Sequence, residues 1–223
     1  MENKNIMIIL AAIIAIIAIA GAVFVSGIFN GNDVSVTSPL ETEFMDGKFV
    51  GNVTLVDDKE KFMHSYKDKE HNIVYNISTV DNSSALMEIY RAQGLSNPEE
   101  RSFNGNDWNI YFTQAVPNVS NNSKEANNTT MNLIICESQG EKQGYLIYMI
   151  IDGKSDVNAS GKAYSEAYED YIVPLLESIT LKESKNVPKI HDEFGLTEDQ
   201  FAQQIDLVRQ INAGNFSALE GVQ

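Results

Sequence analysis

Residues 145 to 151 read Tyr145-Leu146-Ile147-Tyr148-Met149-Ile150-Ile151, a run with no charged position and no polar side. Side chains along a strand point alternately to opposite faces, so a stretch apolar on both faces belongs at the centre of a sheet that is covered on both sides. Working outward from it, further short strands are expected near Phe49 to Val56, Ile73 to Thr79, Trp108 to Ala115 and Asn132 to Cys136. Trp108, Ile110 and Phe112 fall on one face, as do Phe49, Val53 and Leu55, and as do Ile73, Tyr75 and Ile77. Asp46-Gly47, Asn104-Gly105 and Asp152-Gly153 mark turns between them.

Helices punctuate the strands. Ser83 is placed to cap one through about Gln93, and Ser160 to cap a second from about Gly161 to Val173. Tyr164, Tyr168, Tyr171, Ile172, Leu175 and Ile179 follow helical spacing, which points them at a core more than at a sugar. Pro174 has no N–H to donate, so a kink or an early end is expected there. Strands and helices segregated in this way make an antiparallel α+β sandwich, here over residues 44–182. A charged linker with Pro188 follows, and Thr197 with Gln200 three residues on predicts a capped helix from Glu198 to Ala213. Its stripe of Phe201, Ile205, Val208 and Ile211 needs cover, from its own domain or from a partner. Packing on its own domain has the smaller entropic cost. Residues 183–223 are therefore read as linker and C-terminal amphipathic helix.

The element order, with the lead-in Gly47-Lys48-Phe49, the turn Gly105-Asn106-Asp107-Trp108 into a strand, and a late helix ending Ser178-Ile179, resembles the Mog1/PsbP-like fold group. The resemblance covers about residues 44–182. It implies a non-enzymatic binding or assembly module on an antiparallel sheet, and it carries no functional residue over to this chain.

At the other end of the sequence, Ile6 to Phe29 is an uncharged run rich in Ile, Ala and Val. As a helix of 24 residues it would span about 36 Å against a hydrocarbon core of about 30 Å. Ala18-Ile19-Ala20 offers a small-x-small cleavage pattern, but apolar sequence continues well past it, so an uncleaved transmembrane anchor over 6–29 is expected. Lys4 on the short side and no basic residue until Lys48 on the other put residues 1–5 in the cytoplasm as a stub and everything beyond the anchor outside the cell membrane. Residues 30–43 read as a linker.

Sixteen Lys and Arg against 31 Asp and Glu leave a net charge of −15, a poor match for nucleic acid. The single cysteine, Cys136, ends the apolar run Leu133-Ile134-Ile135 and reads as a buried thiol. An exported domain with no disulfide fits a prokaryotic source, an anaerobic or archaeal one in particular. Nine Asn-x-Ser/Thr sequons start at Asn52, Asn76, Asn82, Asn118, Asn121, Asn127, Asn128, Asn158 and Asn215. Chance placement of 22 Asn and 27 Ser plus Thr gives roughly three. The excess makes all nine candidate glycosylation sites. Strand alternation turns Asn52 and Asn76 to solvent, and Asn118 to Thr130 reads as a long exposed loop.

Catalytic sets are missing from the pattern. Gly153-Lys154-Ser155 supplies only the end of a phosphate loop, and a calcium loop from Asp152 would put Lys154 at a ligand position. His64 and His71 flank a polar turn, and no His-Glu-x-x-His pair or Gly-x-Ser-x-Gly elbow occurs. No catalytic residue, metal or cofactor is therefore expected. The expected function is a membrane-anchored, N-glycosylated binding module for an envelope protein or a polysaccharide. The alternative is an envelope hydrolase with a carboxylate site that spacing does not reveal.

Overall fold

The computed structural model describes residues 36–115, 131–152 and 166–215. The run that opens the sequence reading forms β9 (Gly144–Asp152), the middle strand of a seven-stranded, fully antiparallel sheet. On one side of it lie β5 (Ile73–Val80), β4 (Met63–Asp68) and the edge strand β3 (Val53–Glu60). On the other lie β8 (Met131–Gln139), β7 (Asn106–Ala115) and the edge strand β6 (Glu99–Phe103). Both faces of β9 are buried, Tyr145, Ile147 and Met149 on the front and Leu146 and Ile150 on the back. Alternation of apolar side chains on two buried faces is what the continuous apolar run requires.

A second, three-stranded sheet covers the front: β1 (Thr37–Glu41), β2 (Met45–Val50) and the short β10 (Thr180–Leu181). Leu40, Phe44, Met45 and Phe49 from this layer meet Tyr75, Trp108, Ile110 and Ile134 of the large sheet. The back is covered by α1 (Ser83–Ala92), whose Leu86, Ile89 and Tyr90 lie against Leu133, Ile135 and Leu146.

Helix α2 closes the front layer through a wide turn at Tyr168–Ile172 that runs into Val173–Ser178. The Val173 N–H reaches back five residues to Tyr168 O, which sets Pro174 in the first turn of the following segment, where its missing N–H costs nothing. Of the expected kink or early end at Pro174, the early end is corrected: the helix changes its hydrogen-bond register just before Pro174 and continues to Ser178, burying Ile172, Leu175 and Leu176, with Ile179 buried beyond it. Ser160 and Tyr164 lie outside the described residues. Farther on come the short α3 (Ile190–Glu193) and α4 (Glu198–Asn212). Helix α4 begins with the expected capping box, Thr197 Oγ1 accepting from Gln200 N and Gln200 Oε1 from Thr197 N. The first half of its stripe is covered by the chain's own domain: Phe201 and Ile205 are buried against α1, Val208 and Ile211 are half-buried, and Asn212 Nδ2 donates to Glu88.

Several expectations change. Among the described residues no helix is long and apolar enough to cross a membrane. Helix α4, with 15 residues, spans only about 22 Å at 1.5 Å per residue and carries charges. The expected architecture, a transmembrane helix leading into the sheet domain, is corrected to a mostly-sheet α+β domain; residues 6–29 lie outside the described residues. Part of the expected linker, Thr37–Glu41, is a strand, its Ser38 and Leu40 buried. The strand expected at Phe49 to Val56 is two strands in two sheets, parted at Gly51 and Asn52, where Gly51 takes φ +93°. A side chain at Gly51 would run into Asp68 Oδ2, so the corner needs glycine for both space and backbone. The helix expected to be capped by Ser83 is capped by Asn82, whose Oδ1 accepts from Ala85 N at 3.0 Å.

Candidate functional site

The β1–β2 hairpin builds one wall of an open groove of about 730 Å³, lined by Pro39, Glu41, Asp46 and Lys48, with His64 of β4 and Lys182 beyond β10 completing it. Bonds already made hold its walls. Lys182 Nζ donates to Thr42 O at 2.5 Å and to Asp46 Oδ1 at 2.8 Å. Ser184 Oγ donates to Glu43 O, and Gln143 Nε2 and the Tyr145 hydroxyl both donate to Lys182 O. His64 stacks over the buried Phe44 at 5.7 Å. The result is an open trough on a strongly acidic protein, mixed in charge and more apolar than polar in its lining, with a ring and a proline for apolar contact.

Among the described residues two carboxylates are fully buried. Asp68, at the end of β4, accepts from the backbone N–H groups of Glu70 and His71 and pairs with His71 Nδ1 at 2.6 Å. A carboxylate can only accept, so Nδ1 carries the proton of that bond. The His71 ring leans on Tyr171 at 5.2 Å. Burial first, and then the Asp68 charge, hold Tyr75 well above its ordinary value. Glu137, on β8, accepts from Ser83 Oγ at 2.6 Å, Ser84 Oγ at 3.0 Å and Asn109 Nδ2 at 2.8 Å. Gly144 makes this possible, because a side chain there would overlap Ser83. Burial, followed by Glu137, raises the Tyr111 hydroxyl in the same way.

The two carboxylates do not form a pair. Asp68 shares a register row with Ile73, Ile151 and Asn132, three strands across and five residues along from Glu137. At about 4.8 Å per strand and about 3.3 Å per residue that is on the order of 20 Å, and the two occupy opposite faces. Acid and base carboxylates of glycosidases stand about 5 to 9.5 Å apart. Among the described residues no group of three or more His, Cys, Asp or Glu is placed to hold a metal. Of the two histidines that flank the polar turn, His64 lies in β4 against Phe44 and His71 is tied to Asp68; farther along the chain His191 Nδ1 lies 3.0 Å from Leu196 O. Cys136 is buried, and burial pushes its thiol far above the ordinary value, so it is chemically inert.

The candidate glycosylation sites separate by environment. Asn52 and Asn215 are exposed. Asn76 is half-buried in β5 between β4 and β9, its Oδ1 accepting from Ser65 Oγ at 2.7 Å, a correction to the outward placement expected from alternation. Alternation predicted the face, but that face carries Ser65 and Tyr148 as register neighbours. Asn82 is the half-buried helix cap. Asn118, Asn121, Asn127, Asn128 and Asn158 lie outside the described residues. The groove and the Glu137 network escaped sequence reading because their members come from distant segments. The spacing Asp68-x-x-His71 was a signal that could have been read as a turn staple.

No protein-family model matches the sequence, and no curated protein matches it. Solved structures match weakly. The solution structure of cyanobacterial PsbP (CyanoP) from Synechocystis is similar at a TM-score of 0.40 and 9% identity, over 70% of this chain and 98% of that one. A crystal structure from Bacteroides thetaiotaomicron is similar at a TM-score of 0.38 and 7% identity, over 61% of this chain. The match spans 45% of the Bacteroides chain, under half its length. The chain therefore bears a weak PsbP-like fold resemblance, in keeping with the motifs of residues 44–182.

Proposed function

We propose that this protein is an exported, N-glycosylated binding domain, held at the outer face of the cell membrane by residues 6–29, that seats an envelope polysaccharide or envelope protein in the β1–β2 groove without catalysing a reaction. The observation that carries the reading is the groove itself, an open trough of about 730 Å³ with walls fixed in advance by Lys182. Preorganised walls spare a ligand the entropy of ordering them. The excess of sequons and the apolar run of 6–29 support export and membrane retention.

The test uses full-length protein purified in detergent from a glycosylating host. Its binding to the polysaccharide and protein fractions of the cell envelope is measured by calorimetry, beside a Glu41→Lys/Lys48→Glu variant. Saturable binding to one fraction, weakened about tenfold or more by the charge swap, supports the reading. Equal binding by both proteins, or turnover of the bound fraction, overturns it. Intact-mass measurement of the native protein reports glycan load and the presence of residues 6–29 together.

A further inference from the structure

The large hydrophobic residues exposed among the described ones are Val36, Leu55 and Val56, at 49%, 49% and 46%. All three flank one sequon. Val36 O accepts from Gly51 N at 2.7 Å, which holds it beside the corner, and Leu55 and Val56 follow Asn52 by three and four residues. The corner also opens β3, an outer strand of the seven-stranded sheet. An outer strand with apolar side chains invites another chain to pair with it.

The two outer strands of this sheet are protected unequally. Strand β6 reads Glu99-Glu100-Arg101-Ser102-Phe103, short and charged. The far half of β3, Asp57 to Glu60, carries four charged side chains and a register shift, either of which discourages pairing, and a further shift falls between Leu55 and Asp57. The near half, Val53 to Val56, carries no charge; its Val53 N–H is already donated to Ser38 Oγ at 2.9 Å, which leaves the exposed Leu55 and Val56 as the uncovered part. Just before it stands Asn52, exposed, with the sequon residue Thr54 exposed as well.

We infer that Asn52 carries a glycan that covers the Val36, Leu55 and Val56 corner and closes the near half of the β3 edge to pairing, whereas Asn76 stays bare. This rests on the reading of the protein as glycosylated. In the transfer step the Asn52 side-chain nitrogen bonds to the anomeric carbon of a lipid-linked glycosyl phosphate donor. The anomeric carbon–oxygen bond breaks, the lipid phosphate leaves with its electron pair, and the amide gives up one proton. Asn76 sits inside the sheet, where a transferase has less room to wrap the sequon. Its backbone is paired on both sides, its Oδ1 is engaged by Ser65, and its side chain is half-buried.

The test is glycopeptide mapping of the full-length native-host protein, followed by sedimentation of wild type, Asn52→Gln, Thr54→Ala and Asn215→Gln in one detergent. Expected are a glycan on the Asn52 peptide, none on the Asn76 peptide, and a rise of about twofold or more in weight-average mass for Asn52→Gln and Thr54→Ala only. Adding Leu55→Lys and Val56→Lys to Asn52→Gln returns the wild-type mass. Unchanged circular dichroism of Asn52→Gln shows that association does not come from unfolding. A bare Asn52 beside glycans at other sequons overturns the inference and leaves the glycosylated-domain reading standing; so does an Asn52→Gln protein that sediments like wild type. Absence of glycan at every sequon overturns both. A bare Asn52 with a second protein paired along β3 assigns the edge to that partner and overturns the inference.

Discussion

Asp68 and Glu137 are both carboxylates with no exposed surface, and the chain satisfies them in opposite ways. Asp68 finds all its partners within three residues, in the turn that it begins, and uses a histidine and two backbone N–H groups. Glu137 finds its partners 54, 53 and 28 residues away, all of them neutral, at the start of α1 and on β7. A buried charge left unpaired is strongly destabilising, so each network must be complete. The local one forms whenever its turn forms. The remote one exists only when α1 sits down on β8 and β9, and it makes the back layer sensitive to any misplacement of that helix.

The largest expected effect tests the remote network. Gly144→Ala puts a methyl group where Ser83 packs, lifts the start of α1 and separates Ser83 from Glu137, at about 3 to 4 kcal/mol by denaturant unfolding. A loss under about 1 kcal/mol would show that the helix can shift without cost and that the contrast is empty. Asp68→Ala comes next, at about 2 to 3 kcal/mol, because it strands two backbone N–H groups and His71 near the surface where water replaces part of the bond.

Ser83→Ala is expected to lose about 1 to 2 kcal/mol. Measured in a cycle with Glu137→Gln, it should show coupling, whereas Ser83→Ala with Asp68→Ala should add independently across the two faces. Thr197→Ala removes one half of the capping box and is expected to cost about 1 kcal/mol, confined to α4 and visible as faster amide exchange there.

A pH titration compares the two faces as acids. Burial raises Tyr66 and Tyr168 on the front and Tyr90 on the back to about 12. Above pH 10 the unfolded state releases these phenolic protons and the folded state keeps them, so the folded state binds more protons and stability falls as pH rises. Tyrosinate absorbance should lag a free-tyrosine titration and then rise with unfolding. Absorbance that grows near pH 10 while the circular dichroism stays folded would contradict the burial on both faces.

Much of the fold was legible. The apolar run of 145–151 identified the central strand because burial on two faces leaves no room for a polar position. Trp108, Ile110 and Phe112 fall on the front face as alternation predicts, and Thr197 with Gln200 starts a helix. Strands β4 and β6 were not legible, since Met63-His64-Ser65-Tyr66-Lys67-Asp68 and the charged β6 owe their extended form to pairing with neighbours and not to their own pattern. The candidate groove was still less so: Pro39, His64 and Lys182 share no motif, and only the β2–β10 pairing brings the last of them to the hairpin.

By itself the amino-acid sequence determined the quantities that depend on neighbours along the chain: the central strand, the caps and turns, the sequons and the acidic charge. Only the tertiary structure decided that residues 49–56 part at Gly51 into two sheets, that Asn76 is hemmed in while Asn52 stands clear, and that α4 covers α1. Each of these turns on whether a surface is covered by a segment far away in sequence, and burial is a property of the assembled layers that no local pattern contains.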